Sequence, residues 1–92
     1  MTQQLSIIVW SKEGCSYCAE VKNYLTNQNL SFRTIDVTKH DEYRDILEAK
    51  YNVRYVPVVE IGTNNQYVGV TEVGLTHLQK AIGEQLHFVA EV

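Results

Sequence analysis

Two cysteines three positions apart are the residues of this chain whose type and spacing point most directly to chemistry. Cys15 and Cys18 lie in Gly14-Cys15-Ser16-Tyr17-Cys18 and are the only cysteines among 92 residues. A disulfide between them would close too small a loop to constrain the unfolded chain much. The pair is better suited to thiol–disulfide exchange, in which one thiolate attacks a disulfide and a second thiol resolves the mixed disulfide. We therefore expect Cys15 and Cys18 to be catalytic.

Two other roles for a local cysteine pair have less support. A zinc site requires four ligands, and the chain offers no second cysteine pair. The three histidines also lack the His-x₃₋₅-His spacing of zinc ligands; they are His40, His77 and His87. Inert core cysteines would lie within an apolar run, whereas Cys15 lies at a transition from loop to helix. The sequence therefore predicts redox chemistry without a bound metal.

Composition and charge argue against several other classes of protein. Lys and Arg number 8 against 11 Asp and Glu, a net charge of −3, whereas nucleic-acid binders usually carry a basic stripe. The longest apolar run, Ile7-Ile8-Val9-Trp10, is far shorter than the ~20 residues of a membrane span. The first four residues lack the charged start and apolar stretch of a signal peptide. We expect a cytoplasmic, monomeric single domain over 1–92 that binds neither nucleic acid nor membranes, with its core at about 5–83 and a C-terminal extension at 84–92.

An alternating series of strands and helices must position the cysteines. Apolar and β-branched runs predict strands over 5–10, 31–37, 56–61 and 66–70. Apolar residues at helical spacing predict helices over 15–27, over 38–51 or 41–51, and over 75–86. The resulting order is βαβ-α-ββ-α, and its first unit implies a right-handed crossover between parallel strands. The sequence therefore predicts an α/β fold with a four-stranded mixed sheet and helices on both faces.

This arrangement places Cys15 where the first strand ends and the first helix begins. Its sulfur then lies near unsatisfied backbone N–H groups and the positive end of the helix dipole, which stabilise a thiolate. Lys12 adds a positive charge nearby, while Glu13 acts weakly in the opposite direction. Cys18 lies one turn further along the same face. We expect Cys15 to be the nucleophile and Cys18 to resolve the mixed disulfide.

The single proline, Pro57, opens the third predicted strand. Its missing N–H breaks the strand ladder, as it would in an ordinary edge strand. A cis Val56–Pro57 bond would also turn the Val56 backbone toward the cysteines. The N–H and C=O groups of Val56 would then pair with an extended thiol peptide, as in β-strand addition. We predict that this bond is cis.

Residues 7 to about 82 resemble the glutaredoxins of the thioredoxin-fold superfamily. The resemblance rests on a Cys-x-Tyr-Cys centre with Lys12 three residues before it, on Val56-Pro57 and on Gly69 as the opening of the third helix. It implies a thioredoxin-like fold and an oxidoreductase that acts on protein disulfides or glutathione mixed disulfides, with glutathione as reductant. Carried over residue by residue, it implies glutathione contacts from Lys12, Tyr17, Arg54, Val56, Pro57, Thr71 and Glu72.

The sequence departs from the family pattern at three places. Ser16 replaces the usual proline of the centre, and some Cys-Ser-Tyr-Cys members hold a [2Fe–2S] cluster between two protomers with glutathione. The segment 69–73 replaces the usual Gly-Gly-x-Asp-Asp. Residues 53–59 are similar to the redoxins that serve ribonucleotide reductase and often take electrons from thioredoxin reductase. A [2Fe–2S] carrier and a dedicated electron donor to ribonucleotide reductase are therefore the alternative functions.

Overall fold

Strands and helices follow one another in the predicted order. The computed structural model describes residues 5–63 and 66–90, with the backbone alone for residues 63 and 86–90. The elements are β1 (Ser6–Ser11), α1 (Ser16–Asn27), β2 (Arg33–Asp36), α2 (Glu42–Tyr51), β3 (Val58–Thr63), β4 (Gln66–Val70) and α3 (Leu75–Ala90). None of the helices in these two ranges has the length and apolar character needed to cross a membrane.

The strands of the described ranges form one mixed sheet in the order β2-β1-β3-β4. β1 runs parallel to β2, and β3 runs antiparallel to both β1 and β4. Trp10 pairs with Val58, and Val59 pairs with Val70. The end of β1, the start of β3 and the end of β4 therefore lie together, at what we call the site end of the sheet.

Each face of the sheet carries its own hydrophobic core. The core under α1 and α3 consists of Ile7, Val9, Val21, Leu25, Val59, Ile61, Leu78 and Ile82. The core under α2 consists of Trp10, Val37, Leu47 and Val58. Side chains alternate between the two faces along a strand, so the central strand β1 supplies both cores. This explains its continuous apolar run and confirms the prediction of helices on both faces.

Several element boundaries differ from the prediction. β3 begins at Val58 rather than at residue 56, because Pro57 has no N–H to give to the ladder. α3 continues to Ala90 instead of ending near residue 86, so most of the predicted C-terminal extension is helical. The last two residues of that extension lie outside the described part of the chain.

The prediction that Gly69 opens the third helix is wrong, because Gly69 lies inside β4 and pairs with Glu60 of β3. A Cβ atom at this position would run into the aromatic ring of Tyr51. The glycine is therefore required by the close approach of α2 to the sheet rather than by a helix start. α3 begins six residues after Gly69, at Leu75.

Candidate active site

Cys15 is the N-cap residue of α1 and follows the turn that leaves β1. Gly14 in this turn has a φ of 73°, a left-handed conformation that glycine adopts without a steric penalty. The backbone of Cys15 is extended, and its sulfur accepts a hydrogen bond of 3.1 Å from the backbone N–H of Cys18. One of the unpaired N–H groups of the first helical turn therefore points at the Cys15 sulfur, an arrangement that favours a thiolate after reduction.

Cys15 and Cys18 form a disulfide, with their Cα atoms 5.2 Å apart. The two residues differ in exposure, since Cys18 is 1% exposed while Cys15 is partly exposed. An external molecule can therefore reach Cys15, whereas Cys18 can react only with a sulfur that is already attached to Cys15. This asymmetry suits a nucleophilic Cys15 and a resolving Cys18.

The segment before β3 lies at the same end of the sheet as the disulfide. Its Val56–Pro57 peptide bond is cis, as predicted. Val56 is partly buried and packs against the core under α2. The segment 71–74, which follows β4, also emerges at the site end. The topology therefore brings Cys15, Val56 and Thr71 to one end of the sheet.

Two more of the predicted contact residues, Lys12 and Tyr17, lie beside the disulfide. Lys12 is exposed and lines a cleft together with both cysteines. Tyr17 lies in the first turn of α1 and is 52% exposed. Within the described ranges, neither side chain is held by an ion pair or a hydrogen bond. Both are therefore available to a ligand at the centre.

Arg54, another predicted contact residue, is engaged by the carboxylates of α2 and its N-cap. Its Nη1 atom donates to Asp45 over 2.7 Å and to Glu48 over 3.0 Å, and these hydrogen bonds raise its pKa above the ordinary value. Its Nη2 atom lies 3.4 Å from Asp41. Arg44 in turn donates a hydrogen bond of 2.8 Å to the backbone carbonyl of Arg54. The two arginines thus tie the loop before Pro57 to α2.

The remaining predicted contacts, Thr71 and Glu72, lie between β4 and α3. Oε2 of Glu72 is 2.9 Å from Nδ1 of His77, in the first turn of α3. Glu72 therefore interacts with the start of the helix, a role that its sequence position also explains.

The comparison with known protein families agrees with this geometry. The family model described as Glutaredoxin matches residues 7–67, which include both cysteines, Val56 and Pro57. The chain belongs to the glutaredoxin family.

A curated relative of this glutaredoxin is N-acetyl-S-hydroxy-L-cysteine reductase of Bacillus subtilis. The two sequences are 56% identical over 82 residues, which cover 89% of this chain and 88% of the relative. The similarity therefore extends over nearly the whole of both proteins.

Solved glutaredoxin structures share the fold of this chain. Wheat glutaredoxin has a TM-score of 0.67 and 24% identity, with 94% of this chain and 80% of the wheat chain covered. The buckwheat glutaredoxin–glutathione complex has a TM-score of 0.66 and 21% identity, with 92% and 76% covered. These neighbours confirm the predicted thioredoxin-like fold.

Sequence reasoning missed a buried carboxylate, Glu60, close to the site end of this glutaredoxin. Glu60 is 2% exposed and lies on the α2 side of β3. Its Oε1 atom accepts a hydrogen bond of 2.8 Å from Nε1 of Trp10. Its Oε2 atom accepts from Nζ of Lys50 over 2.6 Å and from the hydroxyl of Tyr51 over 2.5 Å. The donors to the Glu60 carboxylate thus lie in β1 and α2, while Glu60 itself lies in β3.

These partners determine the protonation of Glu60. Burial alone would raise its pKa, but the hydrogen bonds from Lys50, Tyr51 and Trp10 outweigh burial, and the pKa lies below its ordinary value. Burial, followed by the hydrogen bond to Glu60, raises the pKa of Tyr51. Glu60 is therefore an ionised carboxylate inside the fold. The available sequence signal was a charged residue within the apolar run of β3.

Proposed function

We propose that this glutaredoxin is a dithiol oxidoreductase that reduces disulfides and oxidised thiols, with small cysteine derivatives as its main substrates. The observation that carries the proposal is the disulfide between an accessible Cys15 and a buried Cys18. The substrate class is supported by the extensive similarity to a relative named as a reductase of N-acetyl-S-hydroxy-L-cysteine. Protein disulfides and glutathione mixed disulfides would react by the same chemistry.

In the first step, the Cys15 thiolate attacks the oxidised sulfur of the substrate. With an S-hydroxycysteine derivative, a bond forms between the two sulfur atoms and the S–O bond breaks. The hydroxide that leaves takes up one proton and departs as water. With a disulfide substrate, the leaving group is a thiolate. Either reaction leaves the substrate sulfur joined to Cys15 in a mixed disulfide.

In the second step, Cys18 resolves the mixed disulfide. Its thiol loses a proton, and the thiolate attacks the Cys15 sulfur. The bond between Cys15 and the substrate breaks, and the substrate leaves as a thiolate that takes up a proton. Over the two steps the substrate as a whole has gained two electrons, which the cysteine pair has lost in forming its disulfide. The product is the state that the structure describes.

An external thiol must then reduce the Cys15–Cys18 disulfide to the dithiol. We propose that a low-molecular-weight thiol, of which glutathione is the expected example, donates these electrons. Two molecules of glutathione would reduce the pair and become glutathione disulfide. The available side chains of Lys12 and Tyr17 support contact with such a thiol, whereas Arg54 already holds carboxylates of its own chain.

A coupled assay tests this proposal and the source of electrons. Oxidation of NADPH is followed with the disulfide of N-acetylcysteine as substrate, either with glutathione and glutathione reductase or with thioredoxin reductase. We expect turnover with glutathione and its loss in Cys15→Ser, because a hydroxyl does not form a thiolate-like nucleophile near neutral pH. Turnover that persists in Cys15→Ser would contradict the proposal. Recharging by thioredoxin reductase alone would overturn the glutathione assignment and favour a dedicated redoxin.

A further inference from the structure

A cleft of about 540 Å³ opens beside the disulfide on the side of α1. Cys15 and Cys18 line it together with Lys12, and so does Lys22, which no part of the proposed mechanism uses. Val56 does not line this cleft. A molecule bound here would approach the disulfide from the side of α1 rather than along the backbone before β3.

The charges that line the cleft favour a small anion. Lys12 and Lys22 contribute two positive charges, and Glu13 contributes one negative charge. In the described part of the chain, neither lysine forms an ion pair within 4 Å. Asp36 lies nearby and accepts a hydrogen bond from the backbone N–H of Thr38. Hydrogen bonds from Thr38 are the main cause of the lowered pKa of Asp36, and the charge of Lys22 makes a smaller contribution.

The helical spacing of α1 places Lys22 on the same side of the helix as Cys15. Lys22 follows Cys15 by seven residues, which is two helical turns and a rise of roughly 10 Å along the same face. Helical side chains tilt toward the N-terminus, which is the direction of Cys15 from Lys22, and both residues line the cleft. Ala19 lies between the two residues and also lines the cleft. Its side chain is a single methyl group, which adds little bulk between Cys15 and Lys22.

We infer that Lys22 binds the carboxylate of a small cysteine derivative whose sulfur reacts with Cys15. This inference rests on the proposed function and adds the substrate feature that the site recognises. In a cysteine whose amine carries an acyl group, the carboxylate is the only charge near neutral pH. The two ammonium groups in the cleft of the nucleophile outnumber the one carboxylate of Glu13, so they attract the substrate carboxylate and repel the free amine of unmodified cysteine. Lys22 is thus a specificity-determining residue for N-blocked cysteine derivatives.

Paired substrates test the inference. The probes are the disulfide of N-acetylcysteine, which carries two carboxylates, and the corresponding neutral diamide. We expect Lys22→Gln to lower the ratio of kcat/KM for the acid to that for the diamide roughly three- to fivefold, the upper range for a partly exposed ion pair. Lys22→Arg should restore the ratio. Lys80→Gln, which removes an exposed lysine of α3 outside the cleft, is the matched control. The same ratio in wild type and Lys22→Gln would overturn the inference.

A second measurement separates this inference from the proposed function. In reduced Cys18→Ser, the Cys15 thiolate is alkylated with iodoacetate, which carries a carboxylate, or with neutral iodoacetamide. We expect Lys22→Gln in this background to lower the ratio of the iodoacetate rate to the iodoacetamide rate, and Lys80→Gln to leave it as it is. If the protein turns over neither the disulfide of N-acetylcysteine nor its diamide, the proposed function fails. The alkylation ratio still decides in that case whether Lys22 recruits a carboxylate. An unmoved alkylation ratio refutes the role of Lys22.

Discussion

Nε1 of Trp10 donates a hydrogen bond of 2.8 Å to the buried carboxylate of Glu60. Trp10 lies near the end of β1, five residues before Cys15, and Glu60 lies on the neighbouring strand β3. Lys50 and Tyr51 at the end of α2 bind the other carboxylate oxygen. Glu60 therefore connects the strand that leads to the nucleophile with the helix that covers the same face of the sheet.

Replacing Glu60 with glutamine should destabilise the fold substantially. The glutamine amide carries no charge that could neutralise Lys50. Its NH2 group is also a hydrogen-bond donor, and it would face the donors that now bind the carboxylate. We expect the free energy of unfolding to fall by roughly 1–3 kcal/mol, because buried hydrogen bonds are lost, while the half-exposed Lys50 remains solvated. Denaturant unfolding measures this change, and Glu20→Gln at an exposed position of α1 is the control. Equal stability of the two variants would show that the buried network contributes nothing.

The same variant should change how stability depends on pH. The folded-state pKa of Glu60 lies below its ordinary value of 4.5. Its ionised form therefore stabilises the fold above the pKa of the unfolded chain, and this contribution is lost as the pH falls through the lowered folded-state pKa. In acidic solution below about pH 5, we expect stability to fall less steeply in Glu60→Gln than in wild type. Parallel slopes in unfolding experiments across this pH range would contradict the assigned ionisation.

Two glycines offer a matched test of packing between α2 and the sheet. A Cβ at Gly69 would overlap the ring of Tyr51, which its hydrogen bond to Glu60 holds in place. A Cβ at Gly83 in α3 would meet no atom within 4 Å. We expect Gly69→Ala to cost about 1–3 kcal/mol of unfolding free energy. Gly83→Ala should instead add about 0.5–1 kcal/mol, because alanine favours a helix interior. The reverse order in thermal unfolding would refute this packing.

The features that sequence analysis predicted correctly are those that local patterns determine. The bounds of β4 match the prediction, and Leu75, Leu78 and Ile82 mark the start and buried face of α3. Cys15 was placed at a helix start because the apolar run before it and the helical spacing after it are both local signals. The cis bond at Pro57 was also predicted, from the position of the single proline.

The features that could not be predicted depend on contacts between residues distant in sequence. The partners of Glu60 lie 50 residues away at Trp10 and 10 residues away at Lys50. The role of Gly69 depends on the approach of Tyr51, and its place in β4 overrides its apparent match to a helix start. The contacts that hold Arg54, such as its ion pair with Asp45, also form only after folding, so the sequence did not indicate them.

The engagement of Arg54 gives a prediction that separates a structural role from ligand binding. Its contacts with Asp45 and Glu48 lie at the surface, where salt screens ion pairs. We expect Arg54→Gln to lower Tm at low salt, with a smaller loss at high salt. Arg33→Gln, at an exposed position of β2, is the control and should show no such salt dependence. An unchanged Tm together with a raised KM for glutathione would instead assign Arg54 to thiol binding.

The central claim is that Cys15 carries the substrate and Cys18 releases it, and trapping of the mixed disulfide tests it most directly. Reduced protein is mixed with the disulfide of N-acetylcysteine, and its intact mass and modified peptide are determined by mass spectrometry. We predict that Cys18→Ser retains one N-acetylcysteine on Cys15, while wild type loses it and returns to the internal disulfide. Cys15→Ser should gain no adduct over the same time, because Cys18 is buried. Rapid labelling of Cys18 in Cys15→Ser, or an adduct that persists in wild type, would contradict the account.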